Sequence, residues 1–264
     1  MSSCQSHSCC LFVRGNLSWR DVPNHCADEP EEYGPFIKVG EVSTFGYTPQ
    51  ITRIGGQKSL SLEGGTTCTT TTFDGLQVSF LMRCASDSNL AVALFGEAGE
   101  KAFGTVVGEE IDGNEVAPGA YVPLAHVGAT DVVITTPATA VLGVDYKITP
   151  AGIEIMEGTS VLVAGTDIVV DYQYGTQGRV EIGTKNSIEK ELLFNGKDQE
   201  GNAIVLRLYR VSIAADGDVQ WLNDTDFMTF TLTGTAMVDD SRDAVEFAPG
   251  LPRSTFGYMQ RLAA

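Results

Sequence analysis

Apolar residues recur at every second position along much of this chain, and long helical periodicity is nearly absent. Over 73–84 (FDGLQVSFLMRC), Leu76, Val78, Phe80, Met82 and Cys84 alternate with Gln77, Ser79 and Arg83. Over 226–238 (DFMTFTLTGTAMV), Met228, Phe230, Leu232, Ala236 and Val238 share one face, while Thr229, Thr231, Thr233 and Thr235 share the other. A period of two sends successive side chains to opposite faces of a strand, and β-branched threonine suits the wetter one. Further strands are expected at 36–48, 121–127, 131–136, 144–149, 153–156, 161–163, 166–175, 178–185, 187–194 and 203–214. The fold class is therefore all-β. One short helix is predicted: Ser86-Asp87-Ser88-Asn89 offers N-caps, Leu90, Ala93 and Leu94 form a buried stripe, and Gly96 stops it.

Charge narrows the function. With 34 acidic and 17 basic side chains among 264 residues, the chain carries −17. A duplex-gripping protein needs a basic face to displace counterions from phosphates, so that class is excluded. A protein that lets nucleic acid pass without adhering is not, because like charges repel. Hydrophobic residues make up 43%, enough to build a core. No run approaches the roughly 18–20 apolar residues of a membrane span. The opening MSSCQSHSCCLFVRG lacks a cationic n-region and a long apolar stretch, so synthesis in a cytoplasm is expected.

Texture divides the chain. Residues 1–35 read as a Cys-rich N-terminal arm, 36–97 with 178–240 as a core domain, 98–177 as an inserted small β-sandwich-like region, and 241–264 as a C-terminal arm. The turn at 214–218 is signalled by Asp216-Gly217. The stretch 49–72 (PQITRIGGQKSLSLEGGTTCTTTT) is too long for a tight turn and too polar for a core. It reads as a surface loop or, preferably, as an extended hairpin arm that orders against a neighbouring subunit.

Chemistry-bearing motifs are sparse. The sequence holds no G-x-S-x-G, H-E-x-x-H, Walker or G-x-G-x-x-G signature. Of three histidines, His7 and His25 fall in the N-terminal arm, and His126 reads as structural. Cys4, Cys9, Cys10 and Cys26 with His25 are weak metal candidates, since their spacing matches no standard zinc knuckle. Asp216, Asp218, Asp224 and Asp226 lack the calcium-loop register, and Glu109-Glu110 reads as solvated surface. No catalytic residue and no cofactor is assigned, and an enzyme is not expected.

Several segments together resemble the major tail tube proteins of long-tailed bacteriophages. They are EVSTFGYTPQITRI before the polar stretch, FDGLQVSFLMRCASDSNLAVALFGEAG, DYKITPAGIEIM and IVVDYQYG in the middle, and ELLFNGKDQEGNAIVLRLYRVSIAADGDVQWLNDTDFMTFTLTGTAMVDDS near the end. The likeness spans roughly 36–240 and leaves out the Cys-rich start. It implies a β-sandwich or split barrel with a flanking helix, related to contractile-tail and secretion-system tubes. Its subunits form rings, most often hexameric, that stack into a tube around DNA and a tape-measure protein.

On that resemblance the chain is expected in the virion tail, assembled in the host cytoplasm with tail-tip or baseplate and terminator proteins. A head-to-tail contact that does not close builds such a filament. Expected lumen-lining residues are Glu181, Glu189, Glu191, Thr229, Thr231, Thr233 and Thr235, the acids supplying a field that keeps DNA sliding. Expected inter-ring contacts are Arg53, Ile54, Leu60, Leu62, Phe256 and Tyr258. The main alternative is a capsid decoration protein or adhesin-type sandwich, for which Tyr121, Tyr146, Tyr172 and Tyr174 would form an exposed aromatic cluster. A metal-dependent protein using the N-terminal cysteines is the third.

Overall fold

The computed structural model describes residues 13–23, 32–57, 66–83, 85–219, 221, 227–241, 249–250 and 254–262. The strands are β1 (Arg14–Asp21), β2 (Ile37–Lys38), β3 (Val42–Gln57) and β4 (Thr66–Met82), followed by helix α1 (Asp87–Ala93) and β5 (Glu97–Lys101). Next come β6 (Gly104–Ile111), β7 (Tyr121–Pro123), β8 (Thr130–Thr136), β9 (Tyr146–Thr149), β10 (Gly152–Ile155) and β11 (Ile168–Tyr174). The chain continues through β12 (Gln177–Glu181), β13 (Glu189–Lys197), β14 (Ala203–Asp216), β15 (Phe230–Ala236) and β16 (Gly257–Arg261). The fold is all-β with one α-helix among the described residues. It divides into two compact units, Met1–Glu97 with Val180–Ala264, and Ala98–Arg179.

The first unit is built on one antiparallel sheet in the order β2-β1-β13-β14-β15-β4-β3. Its two edge strands, β2 and β3, are separated in the chain only by Val39, Gly40 and Glu41. Four residue steps reach at most about 14 Å, whereas the edges of a flat seven-strand sheet lie about 29 Å apart. The sheet must therefore roll until its edges approach, giving a split barrel that pairing does not close. Aromatic rings bridge its walls: Phe45 of β3 stacks on Phe194 of β13 at 5.7 Å, and Trp19 of β1 meets Phe80 of β4 edge-on at 6.3 Å. Val78, Phe80, Met82, Leu192, Val211, Ile213 and Leu232 fill the interior.

Helix α1 packs into this same core. Ser86 caps it by accepting the Asn89 N–H, as its sequence predicts. At the other end Gly96 N donates to Ala91 O at 2.7 Å, and the left-handed residue is Phe95, not the expected Gly96. Gly96 serves close approach instead: a Cβ there would lie 2.1 Å from the Glu181 carbonyl oxygen. The buried Asn89 side chain donates to Val39 O at 2.7 Å, tying the helix to the link between the sheet edges.

Two expectations are corrected and a third is made definite. Residues 14–21 are not part of a terminal arm; Leu17 and Trp19 are buried and β1 lies between β2 and β13. Two inward residues were too short an alternation to signal a strand. The end of the chain does not stop as an arm either, because β16 pairs with β14 over Ile204–Leu208. That edge of β14 is shared end to end, with β15 taking Val211–Asp216. The stretch 49–72 is extended hairpin and not surface loop where it is described: β3 and β4 remain paired from Val42–Met82 out to Gln57–Thr66 within the one chain.

The second unit has two three-stranded sheets, β7-β10-β9 and β6-β11-β8. They enclose a separate core around Val122, Ile134, Ile153, Ile155, Leu162, Val170 and Tyr172. β5 and β12, the strands that lead into and out of it, pair with each other.

Two outcomes test this account. Removing the Asn89 amide orphans the Val39 carbonyl, so Asn89→Ala should lower unfolding stability by about 1–3 kcal/mol, read as an earlier denaturant midpoint. Tyr172 is raised above its usual 10.0 by burial first and by its hydrogen bond to Glu109 next. A raised phenol favours the folded state fully below the unfolded value, and that contribution declines as pH rises past about 10. Alkaline titration by near-UV circular dichroism should show this loss in the wild type and a weaker one in Tyr172→Phe.

Candidate assembly surfaces

Beyond the body of the first unit, β3 and β4 continue as a two-stranded arm. β15 covers β4 only from Leu76 to Met82, so the part of β4 before Leu76 has β3 as its strand partner. From Gln50 to Gln57 the arm extends about 23 Å. Paired residues across a ladder share a face. The core pair Phe45–Phe80 is followed outward by Tyr47–Val78, Pro49–Leu76 and Ile51–Phe73. Phe80 and Val78 are 0% exposed, whereas Tyr47, the first outward residue of β3, is 52% exposed and the outermost pair, Ile51 and Phe73, 47% and 50%. The interior apolar surface thus runs out of the body onto the arm. Arg53 and Ile54 lie further out and are exposed, while Leu60 and Leu62 lie outside the described residues.

Phe256 and Tyr258, expected at a contact between rings, are engaged within the chain. The Phe256 ring meets Phe73 edge-on at 5.4 Å, and Tyr258 meets Tyr209 at 6.1 Å. The strand carrying Tyr258 is held by its ladder and by Arg261 Nη2, 2.8 Å from Asp198 Oδ2. Asp198 also accepts from the backbone N–H groups of Glu200 and Asn202, so it shapes the β13–β14 turn. Burial works against its charge, yet those donors and Arg261 outweigh it and hold the carboxyl below the usual range.

The non-core face of the sheet is divided by charge. On its β1–β13 side, Glu191 is fully buried, with Arg20 Nε at 2.7 Å and Arg207 Nε at 2.5 Å. Tyr33 and Phe36 cover the Arg20 guanidinium at 4.3 and 4.5 Å. Glu191 is therefore no solvated acid, and its place in a lumen lining is corrected: alternation gave the face but not the two arginines that seal it. Glu189 is half-buried and paired with Arg210 at 2.7 Å, and Glu181 is exposed at the end of β12.

On the β14–β15–β4–β3 side the same face is almost without charge. Aligned rows run Ser212–Thr235–Gln77–Thr48 and Ala214–Thr233–Ser79–Gly46. A third row, Asp216–Thr231–Leu81–Thr44, brings one acid at the margin. Thr229 is half-buried just before β15. The threonines were legible from alternation; Gln77, Ser79, Thr48 and Ser212 join them only through the register.

In the second unit, Tyr146 and Tyr172 are core residues, Tyr174 is half-buried, and Tyr121 is 70% exposed, so the four form no exposed aromatic cluster. His126 stacks on Tyr174 at 3.8 Å, with Nδ1 3.0 Å from the Tyr172 hydroxyl and Nε2 2.6 Å from Lys101 Nζ. The weak metal candidates Cys4, Cys9, Cys10, Cys26 and His25 lie outside the described residues, as do His7, Cys84, Asp224 and Asp226. Among the described residues there is no cluster of three or more potential metal ligands. No described helix is long and apolar enough to cross a membrane.

Glu191→Gln leaves two arginines against a neutral amide. It should cost about 2–4 kcal/mol, below the top of the buried-pair range because both arginines keep some solvent contact. Denaturant titration against the wild type checks this.

No curated protein matches this chain. A family model does, over residues 25–248, well over half the length. The chain belongs to that family, whose description is protein of unknown function UCP028589.

Proposed function

We propose that this protein is a self-assembling structural subunit whose rings stack into the tail tube of a long-tailed bacteriophage, a conduit for DNA. The observation that carries this reading is the apolar stripe leaving the core and running onto the β3–β4 arm. A single chain leaves Tyr47, Ile51 and Phe73 about half exposed along a projecting ribbon. Exposed apolar patches of this kind mark interaction sites. An arm reaching about 23 Å past its own sheet meets a neighbour more readily than itself. The outer edge of β3 has no strand partner among the described residues and offers main-chain groups for pairing.

A contact between the arm of one copy and the body of the next is heterologous: it builds a ring where its rotation closes and a filament where it does not, and a stacked tube needs both kinds. The resemblance of 36–240 to tail tube proteins supplies the geometry: rings first, then stacking, with tape-measure, tail-tip and terminator proteins as partners. The net charge of −17 suits a conduit that nucleic acid crosses without adhering. The decoration or adhesin reading lacks the exposed aromatic cluster that would favour it.

Negative-stain electron microscopy of the purified chain at rising concentration, alone and with tail-tip complexes, tests the proposal. Stacked rings or hollow tubes are expected. Replacing residues 50–75 by an Asn-Gly turn closes Pro49 against Leu76, and should leave a folded protein that no longer stacks. A wild-type chain that stays monomeric even with tail-tip complexes would overturn the reading.

A further inference from the structure

We infer that His126 is an acid-released latch in the second unit: as a neutral imidazole it holds Lys101 at the end of β5, and on protonation it lets Lys101 go. This stands apart from the tube reading and from the surfaces used in assembly. Donor counting fixes the closed state. The Tyr172 hydroxyl has one proton, and it lies against Glu109 Oε2, a carboxylate oxygen with none to give. His126 Nδ1, 3.0 Å from the same hydroxyl, must therefore carry a hydrogen and donate. That leaves Nε2 as a bare acceptor, and Lys101 Nζ, which has only hydrogens to offer, lies 2.6 Å from it. Lys101 thus donates to His126, His126 to Tyr172 and Tyr172 to Glu109, one line of bonds from a cation to an anion.

The surroundings decide which group moves. His126 is half-buried and stacked on Tyr174 at 3.8 Å. Its chain neighbours are pinned: the Ala125 N–H donates to Glu109 Oε1, and the Val127 N–H to Gln177 Oε1. Lys101 is exposed, with Nζ 5.5 Å from the centre of the Tyr174 ring. The titratable groups facing His126 are therefore Lys101 from β5, Glu109 from β6, and Tyr172 and Tyr174 from β11, while β12 brings the neutral Gln177 beside it. A proton on Nε2 removes the acceptor and sets two cations 2.6 Å apart. The imidazolium keeps its bond to Tyr172 and gains attraction from the Tyr174 ring face and from Glu109. Lys101 needs only to turn into water. Histidine changes charge between about pH 5 and 8, so neutral solution shuts the latch and mild acid opens it.

The test uses the full chain at low concentration. Carbethoxylation by diethyl pyrocarbonate in neutral solution, read by peptide mass spectrometry, reports access to the imidazole lone pair. His126 should react slowly in the wild type and several-fold faster in Lys101→Met, which uncovers Nε2; equal rates overturn the inference. Hydrogen exchange at about pH 7.5 and about pH 5, corrected for the intrinsic pH dependence of amide exchange, reads the release itself. Peptides across Lys101 should lose protection at the lower pH in the wild type. Lys101→Met should show the lowered protection at both. His126→Gln, whose amide oxygen can accept from Lys101 and does not titrate, should keep its protection at both. Unchanged protection in the wild type, or the same acid loss in His126→Gln, assigns the response to another group or to none, and either overturns the inference.

Discussion

The short link from Lys38 to Val42 is the constraint on which the first unit depends. Joining the two edges of one sheet through three residues forces the sheet to roll, and rolling creates an interior. Once opposite walls approach, large rings can span between them, which is why Phe45, Phe80, Phe194 and Trp19 meet although they come from four strands. Helix α1 reinforces the same point through Asn89, whose amide satisfies a carbonyl of the link. A longer connection would allow the sheet to open and would leave these rings half wet.

Rolling also separates the two faces chemically. The inner face is apolar, and its stripe does not stop where the barrel ends but continues along the arm. The outer face is partitioned, with ion pairs concentrated over β1, β13 and the first half of β14, and hydroxyls over the rest. Glu191 shows how the charged part works. Its carboxylate is satisfied by two arginines, Arg20 covered by Tyr33 and Phe36 and Arg207 5.7 Å from the same Phe36 ring, so one acid fixes both the sheet surface and the segment lying on it. Buried ion pairs of this kind add little over apolar packing but cost much when broken.

Much of the architecture was legible in the sequence because alternation is a local signal. The strands around Val78–Met82 and Phe230–Ala236, the capped helix and the Asp216-Gly217 turn follow from neighbours a few residues apart. β1 did not, since Leu17 and Trp19 make only two inward positions, and its partner β13 lies far along the chain. The arm was readable as an extended segment but not its stripe, because Ile51 meets Phe73 only through a register shift after Gln50. For the assembly surfaces, the threonine row was visible in one strand, whereas its extension to Ser79 and Gln77 needed the pairing. The burial of Glu191 depended on Arg20 and Arg207, residues that no spacing rule connects to it.

The pairing of β1 with β13 sets an order of events in synthesis. Arg14 lies opposite Lys197, so the second-made edge of β1 has no partner until most of the chain has left the ribosome. The edge of β14 beyond Leu208 towards Ile204 waits longer still, for the strand that ends at Arg261. The unit Ala98–Arg179, in contrast, is contiguous and complete before β13 exists. Units fold as they emerge, and sheets of high sequence separation form late. A nascent chain therefore carries one finished module, an early arm and an unbuilt barrel, and the body against which a neighbour's arm would rest comes into being only once β13, β14 and β16 are joined.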